Sequence, residues 1–267
     1  MSVEKMPKGV KVSGQGPAVV LLHSSLSSSR QWLPLVGLLK NDFTLINIDL
    51  LGYGQADKVD DADSYDFELE VSRIRYAIRL VAGDDKYHLV GHSCGGAIAL
   101  KMAVEEPDKL LSVSLYEPVA FHLLPEGTAE RAESDEFARQ VLTKDPYTAA
   151  EVFTNFWNKP GFFRALPEKM QHLMAADIAK VNLDFKGLMA ECYGLNDLSK
   201  VLCPSLLMSG EQSPYLSRHL TQLIQGAIPQ ASVQLFPAGH MAPVSHSDRV
   251  HPAIADFIKL AVPVCEP

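Results

Sequence analysis

A chain of 267 residues is long enough to bury a large core, either as one α/β domain or as two smaller ones. Hydrophobic residues make up 47% and charged residues 21%, the balance of a globular protein that folds in water. The formal net charge of −8 argues against nucleic acid and anionic membrane as partners, because both attract a basic face.

In chain order, Ala18 to His23 is a continuous apolar run bounded by Gly-Pro and by serines, as a buried strand would be. Gln31 to Lys40 carries Trp32, Leu35, Val36 and Leu39 at helical spacing. Phe43 to Leu50 is a second strand-like run, closed by Gly52 and Gly54. Glu68 to Val81 repeats Leu69, Val71, Ile74 and Ile78 among arginines, which predicts an amphipathic helix. Tyr87–Val90 reads as a strand, Gly96–Ala103 as a helix and Leu111–Tyr116 as the next strand. This alternation predicts an α/β fold with a mainly parallel, doubly wound sheet.

The alternation stops between Val119 and Leu198, where the chain reads helical and is rich in aromatics. It resumes with a strand at Pro204–Gly210, a helix at Leu216–Ala227, a strand at Ala231–Phe236 and a helix at Val250–Leu260. The expected organisation is a core of residues 1–118 and 199–267, with a helical cap at 119–198 inserted between two strands. Such an insertion would sit over the strands' carboxyl ends, where open-sheet sites lie. The competing expectation is a separate helical domain with its own core.

Gly91-His92-Ser93-Cys94-Gly95 lies between the strand at Tyr87–Val90 and the helix that follows. A G-x-S-x-G in that context is a nucleophile elbow: a turn so sharp that only small residues fit two positions either side of the serine, hence Gly91 and Gly95. It lifts the Ser93 hydroxyl clear of the sheet. It also sets the Cys94 backbone N–H at a helix N-terminus, facing a developing oxyanion. A serine needs a base, and His240, in a loop just after the last strand, is the best placed of nine histidines. His246 is the alternate.

With Gly239-His240 and Asp49-Leu50-Leu51-Gly52-Tyr53-Gly54, this elbow resembles the α/β-hydrolase superfamily of serine hydrolases from about Ala18 to the end. The family's chain order is serine, acid, histidine. By position, the resemblance implies the Ser25 backbone N–H as second oxyanion donor, in a loop where Ser24 stands for the family's usual glycine. It also implies an acid three residues past Gly210, but Ser213 stands there. Some relatives take the acid from the end of the preceding core strand, and that position is Glu117. Glu211 and, further off, Asp197 are the alternatives.

Leu26, Tyr116, Phe121, Phe156 and Trp157 are candidates to line an acyl or alcohol pocket. Cys94, valued at its position for its N–H, is not expected to be a nucleophile. No metal is expected, since the acids and histidines lack ligand spacing. The spacing of Cys94, Cys192, Cys203 and Cys265 fits neither zinc nor a disulfide framework, so reduced thiols and a cytoplasmic location are expected. Met1–Lys5 leads into no apolar segment, so no signal peptide is expected, nor does any run reach membrane-spanning length.

The expected activity is cofactor-free hydrolysis of small-to-medium, largely apolar carboxylic esters through an acyl-enzyme on Ser93. Thioester, lactone, amide or carbon–carbon hydrolysis would use the same triad. Haloalkane dehalogenase and epoxide hydrolase activities are disfavoured, as both need a carboxylate where Ser93 stands. The competing class is a non-catalytic ligand-binding protein on the same fold. The oligomeric state is left open.

Overall fold

Continuous apolar strands survive only where both faces of a sheet are covered. The computed structural model, which describes residues 5–261, shows that arrangement. Met1 to Glu4, most of the stretch read for a leader, and Cys265 lie outside the described residues. Seven strands stand in the order β1-β3-β2-β4-β5-β6-β7. They are β1 (Val10–Gly14), β2 (Ala18–Leu22), β3 (Thr44–Ile48), β4 (Tyr87–His92), β5 (Leu110–Tyr116), β6 (Ser205–Gly210) and β7 (Ala231–Phe236). β1 pairs antiparallel with β3, and every other pairing is parallel. Every residue of β2, β4 and β6 is buried. β1 is the strand the sequence hides: Val10-Lys11-Val12-Ser13 is an exposed edge with no apolar run.

The helices are α1 (Leu33–Leu39), α2 (Phe67–Ala82), α3 (Ser93–Glu105), α4 (Ala129–Leu142), α5 (Pro146–Trp157), α6 (Phe162–Ala165), α7 (Glu168–Ala190), α8 (Tyr215–Ala227), α9 (Ala242–Ser245) and α10 (Ser247–Leu260). Leu35 and Leu39 of α1 share one core with Val250, Ile254 and Ile258 of α10. α2, α3 and α8 bury their apolar stripes in the other core. α2 shows how locally such a helix is specified. The Asp66 carboxylate caps it by accepting the Leu69 N–H at 3.1 Å, Glu68 and Glu70 sit in its first turn, and Gly83 ends it at φ 61°. Its Val71, Ile74 and Ile78 fall on one buried face, and Ile74→Ala would cost about 2–5 kcal/mol.

α4 to α7 occupy the connection between β5 and β6. Asp145 starts α5 by accepting the N–H groups of Tyr147 and Thr148, both at 3.1 Å, ahead of a proline in the first turn. Phe137, Phe153, Trp157, Phe163, Ile178 and Phe185 from these helices belong to the same continuous core as α2, α3 and α8. These side chains form no cluster apart from that core among the described residues. Among the described residues, no helix is long and apolar enough to cross a membrane.

Candidate active site

The turn after β4 is as tight as its glycines require. A Cβ at Gly91 would meet the Gly95 carbonyl oxygen at 2.5 Å, and one at Gly95 would meet the His23 carbonyl oxygen at 2.4 Å. Ser93 itself sits at φ 56°, in the left-handed region that side chains seldom adopt. Its hydroxyl lies 3.0 Å from His240 Nε2. The other ring nitrogen, Nδ1, lies 2.7 Å from Glu117 Oε2. Glu117 follows the last residue of β5, at φ 41°, and is wholly buried. Ser93, His240 and Glu117 are thus brought together from the ends of β4, β7 and β5.

A buried carboxylate is costly unless its oxygens are satisfied. Glu117 Oε1 accepts from Ser209 Oγ at 2.7 Å and the Gly210 N–H at 2.8 Å, and Oε2 also accepts from Ser217 Oγ at 2.7 Å. Burial pushes its carboxyl up, but the hydrogen bond and charge of His240, together with the other hydrogen bonds to the carboxylate such as that from the Gly210 N–H, outweigh it and hold the group at about 2. An ionised Glu117 takes the Nδ1 proton as a hydrogen bond, which leaves the Nε2 lone pair toward Ser93.

His240 is held from three sides. Its carbonyl accepts from His92 Nε2 at 2.9 Å, the preceding carbonyl of Gly239 accepts from Tyr116 Oη at 2.9 Å, and the Trp157 ring stacks on its imidazole. Burial first, then the neighbouring His240, keeps the His92 imidazole well below its ordinary pKa, so it serves as a neutral brace. The alternates do not reach this site. His246 Nδ1 bonds to Ser245 Oγ at 2.9 Å, Glu211 has an exposed side chain, and Asp197 is engaged by Lys200 at 2.7 Å.

Ser93 and His240 open on a cavity of about 300 Å³. Leu26 and Trp157 line it, with Phe153, Phe162, Met174 and Val244. Tyr116, Phe121 and Phe156 do not. Tyr116 is turned to the far face of the sheet beside His92 and Phe236, Phe121 is buried behind Trp157, and Phe156 is stacked on Phe137 at 4.0 Å. Their aromatic character marks core, not cavity wall. A cleft of about 340 Å³ elsewhere is walled by Arg75, Glu106 and Lys109, near the amino ends of β4 and β5, away from all these residues.

The loop after β2 also borders the cavity, through Ser24, Ser25 and Leu26. Ser24 is accommodated where a glycine was expected because its hydroxyl reaches Gln31 Oε1 at 3.1 Å. The Ser25 hydroxyl is bonded to Asp184 at 2.6 Å, turned away from the cavity. Among the described residues, the Ser25 N–H has no acceptor within the protein. The Cys94 N–H lies in the first turn of α3, where helical donors have no intrahelical partner. Burial pushes the Cys94 thiol well up, so it stays protonated and unreactive. Among the described residues, no group of His, Cys, Asp or Glu is arranged to hold a metal ion. Ser209, Ser217, Lys180 and Asp184 were not recognised from sequence, where serines and a helical Lys-Asp pair carry no distinguishing pattern.

A mostly parallel sheet with a strand–serine–helix elbow at its carboxyl edge defines a class, and comparison with known proteins agrees. The chain belongs to the alpha/beta hydrolase family, whose model matches residues 19–253. It is 28% identical over 221 residues to a fluoroacetate dehalogenase of a Burkholderia species, covering 74% of this chain and 72% of that one. It is 26% identical to a pimeloyl-[acyl-carrier protein] methyl ester esterase of Legionella pneumophila, covering 92% and 97%. Among solved structures, a thermophilic esterase from Thermogutta terrifontis superposes with a TM-score of 0.76 at 22% identity, covering 95% of this chain and 93% of that one. The enol-lactonase of Burkholderia xenovorans superposes with a TM-score of 0.75 at 17% identity, covering 94% and 96%. At those identities the structures speak for the fold.

Proposed function

We propose that this chain is a serine hydrolase that cleaves small-to-medium, neutral and largely apolar carboxylic esters through an acyl-enzyme on Ser93. The observation that carries the reading is the unbroken chain from Ser93 Oγ to His240 Nε2 at 3.0 Å and from His240 Nδ1 to Glu117 at 2.7 Å. In this reading His240 removes the hydroxyl proton as Ser93 attacks the ester carbonyl. Glu117 stabilises the imidazolium, and the backbone N–H groups of Ser25 and Cys94 receive the oxyanion. His240 then returns the proton to the leaving alcohol. Water, activated by the same histidine, releases the acid.

Acyl transfer fits Ser93 better than halide displacement. Alkylation of a serine would leave an ether, which this machinery has no means to hydrolyse. Acylation leaves an ester, which it has. Among the described residues, no Asp, Glu, Lys or Arg lines the cavity, so a charged acyl group would be desolvated without a partner. We read α4 to α7 as a cap, because α5, α6 and α7 supply the cavity wall opposite Ser93. Lactones and thioesters present the same carbonyl and are the nearest alternatives.

The test is labelling by a fluorophosphonate together with turnover of p-nitrophenyl butyrate. Both are expected in the native protein and neither in Ser93→Ala. A Ser93→Ala protein that hydrolyses the ester at the native rate would overturn the reading, and a native protein inert in both assays would favour a binding role.

A further inference from the structure

Behind the loop that borders the cavity lies a buried charged cluster that the hydrolytic scheme leaves without a role. Lys180 and Asp184, one turn apart on α7, both point inward and are 7% and 2% exposed. The Lys180 ammonium bonds to Asp184 Oδ1, reaches Tyr65 Oη at 3.0 Å and lies 3.4 Å from Glu70 Oε1. Burial alone would drive that ammonium to release its proton, but the Asp184 and Glu70 carboxylates hold it charged. Asp184 Oδ2 faces the other way. It accepts the hydroxyls of Ser25 and Tyr53, each at 2.6 Å.

The turn at Asp49–Gly54 is shaped to receive this cluster. Gly52 has φ +76°, and a Cβ there would meet Lys180 Cγ at 3.0 Å. Glycine at 52 therefore leaves room for the lysine stem, while Tyr53 next to it supplies a hydroxyl to Asp184. Gly54 closes against the Asp49 carboxylate, which accepts the N–H groups of Ser29 at 2.6 Å and Gln55 at 2.9 Å. The turn and the loop after β2 are thereby fastened to each other and to α7.

We infer that Asp184 is a positioning residue for the oxyanion loop. By accepting the Ser25 hydroxyl from behind, it fixes the backbone of Ser25 so that its N–H faces the cavity. The inference rests on the serine-hydrolase reading, in which that N–H is an oxyanion donor. The loop needs an external hold: the next residue, Leu26, sits at φ 51°, a conformation from which a free loop would relax. Asp184 does not line the cavity, and its oxygens are occupied by Ser25, Tyr53 and Lys180, so it acts through Ser25 and not on substrate. Met174, on the same helix, does line the cavity. A substrate that shifts α7 would therefore shift the oxyanion donor with it.

The decisive variant is Ser25→Ala, which removes the hydroxyl and keeps the backbone N–H. The expected loss is about 10- to 100-fold in kcat with KM nearly unchanged, since the donor acts in the transition state. Affinity for a trifluoromethyl ketone, whose hemiketal oxyanion needs the same donors, should fall in parallel. Ser25→Thr, which restores a hydroxyl, should recover most of both. Asp184→Ala should match Ser25→Ala, and combining the two should cost no more than about twofold beyond Asp184→Ala. If Asp184→Ala does not fold, the Ser25 variants carry the test. If Ser93→Ala is inactive while Ser25→Ala keeps kcat and inhibitor affinity within about twofold, the positioning role is overturned and the serine-hydrolase reading stands. If Ser93→Ala remains active, that reading falls and the positioning role falls with it.

Discussion

The indole of Trp157 lies against the imidazole of His240, with ring centroids 4.0 Å apart and planes 27° from parallel. Trp157 is the last residue of α5, so one face of the proposed base is held by the inserted helices. The sheet holds the same residue from behind, through His92 and the carbonyl of His240 at 2.9 Å. An aromatic face carries partial negative charge, which would favour the imidazolium of the proposed mechanism, in which His240 takes the Ser93 proton.

Trp157→Leu should therefore act in two ways. Losing an aromatic stack worth about 0.5–1.5 kcal/mol lowers kcat by a factor of about 2–10. The enlarged cavity moves the preferred acyl chain to greater length. Trp157→Phe should lose less of the rate. kcat/KM measured along p-nitrophenyl acetate to decanoate separates the two effects, and an unchanged rate and optimum in Trp157→Leu would reduce the stack to packing alone.

Glu117→Gln should lower kcat by up to about 10⁴-fold. An amide cannot satisfy four donors as the carboxylate does, and it offers its own N–H to a ring nitrogen that must donate. Glu211→Gln, on an exposed side chain, should stay within about twofold of native activity. Paired kinetics decide the assignment: a severe Glu211→Gln with a mild Glu117→Gln would move the acid to the loop after β6.

Ser93→Ala and His240→Ala should be about equally damaging, and the double variant scarcely worse than either, because residues acting as one unit are not additive. Multiplicative losses would show that the two act independently. His246→Ala should leave turnover close to native.

Stability should fall on mild acidification. Burial holds the His23, His88 and His251 imidazoles at about 4, against 6.5 in an unfolded chain, and holds His92 well below its ordinary value too. Between those values the unfolded state binds more protons, so unfolding grows easier as pH drops from about 6.5 to 4, by up to about 1.4 kcal/mol per pH unit for each such histidine. Glu117 contributes to the same trend only lower, as pH falls from its unfolded value toward 2. Calorimetric Tm from pH 7.5 to 4 checks this, and a flat Tm between 6.5 and 4.5 would contradict it.

Much of this was legible because it is local. The elbow at Ser93, the loop at His240 and the strand–helix alternation are written in neighbouring residues. Glu117 emerged from two facts taken together, a serine at 213 and a carboxylate at a strand end. What stayed hidden is what depends on distant partners. Ser209 and Ser217 are ordinary serines until folding points both at Glu117. Lys180 and Asp184 look like a solvated pair on a helix face, and only distant partners, the turn at Gly52 and Tyr53 together with Ser25, Tyr65 and Glu70, give them a buried socket. Tyr116, Phe121 and Phe156 are candidates for cavity wall by sequence and lie outside it, because aromatic content marks burial without saying which side of the sheet is buried. β1 escaped because an exposed edge strand needs no apolar run.

Leu26, Ser93 and Glu117 are the non-glycine residues with left-handed backbone among the described residues, and they stand just beyond β2, β4 and β5, three neighbours in the sheet. Each such conformation costs about 1–3 kcal/mol. Glycine at Leu26 or Ser93 would release that strain, and would loosen the proposed oxyanion loop or erase the proposed nucleophile, while at Glu117 it would also strand the four donors that the carboxylate satisfies. A hardier descendant that still turns over substrate must have been improved elsewhere, in its loops, caps and outer helices, with this edge left as taut as it was inherited.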